Sequence, residues 1–275
     1  MIGILFHPKK ESTRPLADAV CAWLQERGAE AWIASSWDRD YLDRKMPRCS
    51  LLVVIGGDGS ILRAARAAAP FDVPVFSINM GRLGFLSEAQ PDAWEAKLTA
   101  IVEDRHWLET RLMLEAEVVR DEVVIASRMA LNDFVISRGK LARVLRLDLH
   151  VDGSHVTHFV CDGIIAATPT GSTAYALAAG GPILPPALLN YLLVPVAPHL
   201  SLDRALVLHQ EAVATVVVNM DHEATLTSDG HDNMVELMNG DRVVIRKARY
   251  VSTFARVGNA SYFYRRLMGR LRLEP

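Results

Sequence analysis

A run of five apolar residues, Leu51–Ile55, leads directly into the glycine-rich sequence GGDGS, and an alanine-rich helical pattern then continues to Pro70. Fully apolar, β-branched runs of this length are typical of strands buried in parallel sheets. Strand and helix patterns alternate through the first hundred residues, with strands at IGILF, AEAWIA and VPVFSI and helices near 12–27 and 91–104. This alternation predicts a doubly wound α/β domain, which we place at residues 1–105.

After residue 105 the pattern changes to short strands in which apolar and polar residues alternate. In RVLRLDLHV the leucines at 145, 147 and 149 share one face, and Asp152-Gly153 and Asn239-Gly240 are favourable hairpin turns. We therefore predict a second, all-β domain, a β-sandwich over residues 106–250, with one helix after the sequence TPTGSTAY. The basic, amphipathic tail at 251–275 is expected to pack back on the first domain, as a helix or a peripheral strand.

Composition narrows the functional classes. The 275 residues carry a net charge of −2, so no global attraction to nucleic acid or to a membrane surface is expected. No apolar run approaches the ~20 residues of a membrane span, and MIGILFHPKK places its charges after its apolar run, the reverse of a signal peptide. The three widely spaced cysteines argue against a disulfide framework and indicate a reducing cytoplasm. We expect small-molecule substrates, with no nucleic-acid or membrane partner.

The loop Gly56–Ser60 carries the clearest chemical signal. Loops at the carboxyl ends of parallel strands face the usual ligand crevice, and glycines allow the backbone to approach a phosphate closely. A helix that begins near Ser60 directs amides and the positive end of its dipole toward an anion. The loop is neither a P-loop nor a dinucleotide fingerprint. Asp58 is therefore either a turn residue, or a group that steers Mg²⁺ or accepts a proton from an attacking hydroxyl.

Several segments resemble the NAD kinase family, in that family's order. They are GGDGSILRAARAAAPFDVPVFSINMGRLGFLSE (56–88), ALNDFVISRG (130–139), CDGIIAATPTGSTAYALAAGGPI (161–183), PVAPH (195–199) and SDG (228–230). The resemblance covers nearly the whole chain from about residue 50, and GILFHPKK matches weakly. GGDG alone also occurs in lipid kinases and phosphofructokinases, whereas its combination with TPTGSTAY and GRLGF is highly specific. The family's α/β domain and β-sandwich agree with the two domains predicted from the residues.

The resemblance implies transfer of the γ-phosphate of ATP, or of another phosphoryl donor, to the 2′-hydroxyl of the adenosine ribose of NAD. Asp58 matches the family's proposed general base, and the phosphate loop consists of Gly56, Gly57, Gly59 and Ser60. Mg²⁺, or another divalent metal, is expected to arrive with ATP and to be held mainly by its oxygens, without a dedicated protein metal site. The resemblance also implies a homodimer or homotetramer.

The NAD-binding residues implied by the resemblance are spread along the chain: Gly59, Phe85, Asn132, Asp133, Asp162, Thr170, Thr173, Ala174 and Tyr175. An asparagine suits an adenine edge, and a carboxylate accepts hydrogen bonds from ribose hydroxyls. Without the family, Asn132-Asp133 is a strand-end turn, and the hydroxyls around Gly171 are an N-cap cluster for a helix at 173–179. Phe85 is then a core residue.

Three positions depart from the family pattern. Asp133 replaces the commoner glutamate, His231 stands where glutamine is frequent, and His7-Pro8 stands where Asn-Pro is usual. These differences concern fine contacts and donor preference. Two other functions stay open: a lipid or sugar kinase of the same superfamily, against which TPTGSTAY argues, and a non-catalytic module that senses NADP, whose mark would be loss of the base.

Overall fold

The structure, a computed structural model, describes residues 1–81, 84–139, 143–199, 202–219, 223–230 and 234–271. The chain divides into two compact units, one made of Met1–Arg111 with Tyr250–Pro275 and the other of Leu112–Arg249. No helix in the described part of the chain is long and apolar enough to cross a membrane.

The first unit is a six-stranded sheet with helices on both faces. Its strands and helices are β1 (Ile2–Phe6), α1 (Thr13–Glu26), β2 (Ala31–Ser35), α2 (Arg39–Lys45), β3 (Leu51–Gly56), α3 (Asp58–Ala68), β4 (Val75–Asn79), α4 (Trp94–Val102), β5 (Trp107–Arg111), β18 (Ser252–Arg256) and α6 (Tyr262–Leu271). The strand order is β2-β1-β3-β4-β18-β5, and all neighbours are parallel except β18 and the edge strand β5. The predicted α/β architecture is confirmed.

Alternate side chains of the central strands point to opposite faces of this sheet. Val53 and Ile55 of β3 pack in one apolar cluster with side chains of α1 and α4. Leu52 and Val54 point to the other face and are equally buried, on the side where α3 contacts β3 and β4. Because both faces are covered, β3 has no polar side chain along its length, as the sequence indicated.

The ends of this unit differ from the boundaries predicted from sequence. Trp107–Arg111, which we assigned to the second domain, pairs with Ser252–Arg256 and belongs to the first sheet. The basic segment from Tyr262, for which a helix or a peripheral strand was predicted, forms the helix α6, and the residues before it form the buried internal strand β18. Pairing across more than 140 residues depends on tertiary contacts, which local periodicity does not report.

The second unit contains two six-stranded antiparallel sheets. Its strands and helix are β6 (Leu114–Arg120), β7 (Val123–Ala130), β8 (Asp133–Arg138), β9 (Leu145–Val151), β10 (Ser154–Cys161), β11 (Gly163–Ala167), α5 (Tyr175–Ala178), β12 (Asn190–Val196), β13 (Leu206–His209), β14 (Ala214–Val218), β15 (Ala224–Ser228), β16 (Val235–Leu237) and β17 (Arg242–Lys247). The sheet orders are β10-β9-β14-β17-β6-β7 and β13-β12-β11-β8-β15-β16.

One apolar core joins the two sheets of the second unit. It includes Leu145, Leu147 and Leu149 of β9, from the first sheet, and Phe134 and Tyr191 from the second. The three leucines are fully buried, as their alternation predicted. Two sheets that share a core are a sandwich, so the predicted all-β fold of this unit is confirmed.

Candidate functional site

The glycine loop of the first unit joins the carboxyl end of β3 to α3. Gly57 is extended (φ −99°, ψ −177°), and its carbonyl accepts hydrogen bonds from the amides of Ser60 (2.9 Å) and Ile61 (3.2 Å). The helix begins at Asp58, two residues before the predicted start, because Gly57 already has the geometry of an N-cap. Asp58 therefore lies in the first turn, where amides lack intrahelical acceptors and the dipole favours negative charge.

Two glycines leave room for polar side chains at this loop. A Cβ atom on Gly56 would lie 2.6 Å from Ser60 Oγ, and one on Gly84 would lie 2.2 Å from Asp58 Oδ1. Ser60 is buried, and its Oγ has no hydrogen-bond partner in the part of the chain that the structure describes. Positions 56 and 84 therefore cannot carry a side chain, because the Ser60 hydroxyl and the Asp58 carboxylate occupy that space.

Cationic side chains surround the glycine loop. Lys10 Nζ lies 3.7 Å from the position that a Cβ on Gly57 would take. Burial first, and then the charges of Lys10, Arg63 and Lys9, lower the pKa of His7 below its ordinary value. The part of this shift that comes from the three cations indicates positive potential beside the loop, which suits an anionic ligand.

In the second unit, three predicted motifs meet at one edge of a sheet. β8 begins at Asp133, β11 ends at Ala167 and β15 ends at Ser228. Asp133 is paired with Ala167, and the next residue of β8, Phe134, with Ser228. The segments NDF, TPTGSTAY and SDG, which lie far apart in sequence, are therefore neighbours.

Asp229 ties this edge together. Its carboxylate accepts hydrogen bonds from three successive amides, those of Leu131 (3.1 Å), Asn132 (2.7 Å) and Asp133 (3.2 Å). The backbone of Asp229 is left-handed (φ 50°), and its own amide donates to the Asp133 carbonyl at 2.9 Å. A buried carboxylate with several amide donors is a strong anchor, so Asp229 fixes the backbone that carries Asn132.

Gly171 and Thr168 fix the hydroxyl-rich loop against Asn132. A Cβ on Gly171 would lie 2.1 Å from the Asn132 carbonyl oxygen. The Thr168 amide donates to that same oxygen at 2.8 Å, and Thr168 Oγ1 donates to the Leu131 carbonyl at 2.5 Å. The close approach of two backbones requires glycine at 171.

Asp133 is a buried carboxyl beside a second carboxyl. Its side chain is 5 % exposed. Burial, and then the charge of Asp229, raise the pKa of Asp133 to about 7. Such a group holds a proton near neutral pH and can donate as well as accept a hydrogen bond.

The helix predicted at 173–179 is present but shorter, and the hydroxyl-rich residues before it are not part of it. Gly171–Thr173 is a single 3₁₀ turn, and α5 is only four residues long. The two are separated by Ala174, whose backbone (φ −104°, ψ −128°) is not helical. The Thr173 hydroxyl donates to the Thr170 carbonyl at 3.2 Å, so it does not cap a helix. Tyr175 is 48 % exposed and is available to a ligand.

Three predicted NAD-binding residues are not part of this edge: Asp162 lies elsewhere in the second unit, and the other two belong to the first unit. Asp162 precedes β11 while Thr168 follows it, and six strand steps separate them by about 20 Å. Asp162 forms an ion pair with Arg138 at 3.5 Å. Gly59 and Phe85 belong to the first unit, and Phe85 is buried with its ring 5.6 Å from that of Phe263.

Sequence reasoning missed four residues that shape these two regions. Gly84 and Gly171 lie inside the quoted motifs GRLGF and TPTGSTAY, where a glycine can mark a close approach of another backbone or side chain. Asp229 lies within SDG, and Lys10 ends HPKK. His231, one of the departures from the family pattern, lies outside the described residues. Within the described residues, no group of three or more His, Cys, Asp and Glu could hold a metal ion.

Comparisons with known proteins agree on one family across the chain. The family model of the ATP-NAD kinase N-terminal domain matches residues 28–106, and that of the ATP-NAD kinase C-terminal domain matches residues 131–257. An NAD kinase of Chloroflexus aurantiacus is 37% identical over 271 residues, 98% of each chain. An NAD kinase of Dehalococcoides mccartyi is 36% identical over 272 residues, 98% of this chain and 95% of its own.

Two solved structures share the fold over the full chain. Yeast NADH kinase complexed with NADH superposes with a TM-score of 0.88 at 25% identity, over 100% of this chain and 88% of its own. An NAD kinase from Archaeoglobus fulgidus in complex with ATP superposes with a TM-score of 0.79 at 27% identity, over 99% of each chain.

Proposed function

The chain belongs to the NAD kinase family and is a kinase, and from this premise we propose that it phosphorylates the 2′-hydroxyl of the adenosine ribose of NAD. The donor is ATP, and the products are NADP and ADP. One observation carries the proposal: the carboxylate of Asp58 stands in the first turn of a helix, within a glycine loop that cationic side chains surround. This is a site for a phosphate and for the hydroxyl that attacks it.

Asp58 acts as the general base. A carboxyl with a reference pKa of about 3.9 is a weak base for a sugar hydroxyl. In a loose phosphoryl-transfer transition state the hydroxyl need not lose its proton early, so the carboxylate first orients it and accepts the proton late. The new bond joins the 2′-oxygen to the γ-phosphorus, the bond to the bridging oxygen of ADP breaks, and the proton ends on Asp58.

The glycine loop holds the phosphates of the donor. Gly56, Gly57 and Gly59 lie at the start of α3, and Lys10 Nζ is 3.7 Å from the position that a Cβ on Gly57 would take. Mg²⁺, which neutralises phosphate charge when it is bound, fits here as part of the ATP complex, since the oxygen of Asp58 is the ligand type it prefers. The Archaeoglobus relative was crystallised with ATP, which supports this donor.

The edge of the second unit binds the acceptor. Asn132 offers both donors and acceptors to the adenine, and Asp133 holds ribose hydroxyls. Thr170, Thr173, Ala174 and Tyr175 follow on the adjoining loop, with the exposed Tyr175 ring as an apolar face. The yeast relative was crystallised with NADH, whose adenosine half is the same as that of NAD.

The cellular setting follows from the same proposal. All three cysteines are free thiols, as a reducing cytoplasm requires. We expect a homodimer or homotetramer, which sedimentation or light scattering of the purified protein would measure.

One assay tests the function. The protein is incubated with Mg²⁺, ATP and NAD, and NADP is measured with a dehydrogenase that accepts only NADP. Parallel reactions contain NADH, a diacylglycerol or a sugar phosphate as the acceptor. We expect rapid formation of NADP and none of the lipid or sugar product. NAD or NADP binding without turnover would instead identify a sensor, and lipid or sugar phosphorylation would identify another kinase of the superfamily.

A further inference from the structure

The loop that faces Asp58 is held by an arginine from the C-terminal helix. Arg266 of α6 donates from Nη1 to the carbonyl oxygens of Gly84 at 3.1 Å and Ser87 at 2.5 Å. These residues form a buried loop, residues 84–87, between β4 and α4. Buried loop carbonyls need donors from outside the loop, because no strand ladder satisfies them. Arg266 supplies that donor.

A second arginine forms hydrogen bonds with the same loop. Arg256 of β18 is 1 % exposed and donates from Nη1 to the carbonyls of Leu86 and Ser87, both at 3.1 Å. Burial, and then the neighbouring charge of Arg256, lower the pKa of Arg266. Placing two like charges side by side in a buried region is unfavourable, and the charges of Glu88 and Glu109, together with the carbonyl contacts of the 84–87 loop, offset it.

Arg256 is itself anchored by a carboxylate network. Its Nε donates to Glu109 at 2.8 Å, and Arg111 donates to the same carboxylate at 3.0 Å. Although burial acts to raise the pKa of Glu109, Arg111 and Arg256 hold it below its ordinary value. The Tyr262 hydroxyl also donates to Glu109 at 2.8 Å, and its ring lies 4.6 Å from the Arg266 guanidinium. The arginines are therefore fixed before any substrate binds.

Gly84 connects this network to the proposed base. Its carbonyl is bound by Arg266, and a Cβ placed on it would lie 2.2 Å from Asp58 Oδ1 and 2.8 Å from Oδ2. The Gly84 backbone thus packs directly on the carboxylate. A shift of the 84–87 loop by one ångström changes the space and the polar surroundings of that group.

We propose that Arg266 is a positioning residue, which holds Gly84 against the Asp58 carboxylate and so fixes the orientation of the base. The proposal rests on the role of Asp58 proposed above. It gives α6 a part in the reaction through the 84–87 loop. Loss of Arg266 should lower kcat more than it weakens substrate binding, because both binding regions stay intact.

The test uses the full-length enzyme and two neighbouring arginines of α6. We expect Arg266→Ala to lower kcat about 30-fold, with the KM for NAD and for ATP changed less than about 3-fold. Arg265→Ala removes the same charge from an exposed position of the same helix and should keep kcat within about 2-fold. The acid limb of the kcat–pH profile should also move in Arg266→Ala and not in Arg265→Ala, since only the former alters the surroundings of Asp58.

Chemical rescue separates positioning from a merely structural effect. A cavity of about 210 Å³, lined by Lys97, Asn259 and Tyr262 among others, borders the Arg266 head group and admits a small cation. Guanidinium at about 20 mM should raise the kcat of Arg266→Ala at least about 5-fold and leave Arg265→Ala unchanged. The proposal is overturned if Arg266→Ala keeps the wild-type kcat. It is also overturned if the loss of activity equals the loss of folded protein and guanidinium restores no activity.

Two further variants keep the outcome decisive. If Arg266→Ala does not fold, Arg266→Lys takes its place, because lysine keeps the charge but not the planar fork. We expect a roughly 5-fold lower kcat, and wild-type kcat would overturn the proposal. Asp58→Asn distinguishes the two hypotheses: an inactive Asp58→Asn with a fully active Arg266→Ala removes only this inference, whereas an active Asp58→Asn removes the general base.

Discussion

The glycine loop of the first unit and the Asn132 edge of the second unit perturb their titratable groups in opposite directions. At the glycine loop, burial and nearby cations lower the pKa of His7, so the region favours negative charge. At the Asn132 edge, burial and Asp229 raise the pKa of Asp133 to about 7, so the region disfavours further negative charge. The first is suited to phosphates, and the second to neutral hydroxyl and amide groups such as those of adenosine.

The two regions also use glycine differently. At Gly84 an added Cβ would strike the Asp58 side chain, which can rotate, whereas at Gly171 it would strike the Asn132 backbone carbonyl, which is held by other bonds. The glycine loop therefore depends on the placement of one carboxylate, and the Asn132 edge depends on a rigid backbone. Substitutions should damage catalysis in the first region and acceptor binding in the second.

The largest effect should come from Asp58→Asn. The amide keeps the size of the side chain but does not accept the proton of the 2′-hydroxyl, so we expect kcat to fall about 10³-fold with KM changed less than about 3-fold. The measurement is NADP formation at saturating substrates. Asp72→Asn, an exposed position of the same unit, is the control and should be fully active. Near-normal turnover of Asp58→Asn would refute the assignment.

Gly171→Ala should act on the acceptor alone. The added methyl forces the hydroxyl-rich loop away from the Asn132 carbonyl, so we expect the KM for NAD to rise at least about 10-fold while that for ATP is unchanged. Gly180→Ala is the matched control, because an alanine at this φ of +85° costs about 1 kcal/mol of stability while no atom of the described residues lies within 4 Å of the new Cβ. Equal KM values for both variants would contradict the proposed acceptor region.

Lys10→Met should act on the donor alone. The methionine keeps the length of the side chain and removes the charge beside Gly57, so we expect the KM for ATP to rise about 10-fold with that for NAD unchanged. The dependence of this KM on salt should weaken, because one phosphate contact is lost. Lys45→Met, at a half-buried lysine of α2 in the same unit, serves as the control. An unchanged KM for ATP would exclude Lys10 from the donor site.

Much of this architecture could be predicted from local patterns, and the reasons are visible at particular elements. The run 51–55 is apolar throughout, and the segment 145–149 alternates over its whole length. Each pattern therefore predicted its strand, the first buried on both faces and the second on one. The internal strand Ser252–Arg256 was not foreseen, since its partner Trp107–Arg111 lies far away in sequence and carries two charged residues, Glu109 and Arg111. The arginines and Glu109 there are buried only because they neutralise one another.

The candidate site shows the same limit. The quoted motifs contain Asp58, Asn132 and the hydroxyl-rich loop, but not the tertiary contacts that support them. The bonds from Asp229 to the amides of 131–133, and from Arg266 to the carbonyls of the 84–87 loop, join segments about 100 to 180 residues apart. The short α5 likewise follows a tertiary contact: Gly171 packs against Asn132, and the backbone of Ala174, three residues later, is not helical.

The smallest effect should be a change in the pH dependence of stability at the Asn132 edge. A carboxyl whose pKa is higher in the folded protein than in the unfolded chain binds its proton more tightly when folded. The stability from this proton is complete below about pH 4 and is lost as the pH rises through about 7. In the wild type, Asp133 should therefore reduce the free energy of unfolding on the order of 2 kcal/mol between pH 5 and pH 8.

Asp133→Asn tests whether that carboxyl is the cause. The amide has no proton to lose, so its free energy of unfolding, measured in urea at pH 5 and at pH 8, should lack this loss and exceed the wild-type value at pH 8. Asp203→Asn, at an exposed position of the same unit, should keep the wild-type pH dependence. If Asp133→Asn and the wild type lose stability equally, Asp133 is ionised in the folded protein throughout this range. The opposite electrostatics of the two regions would then rest on His7 and its lysines alone.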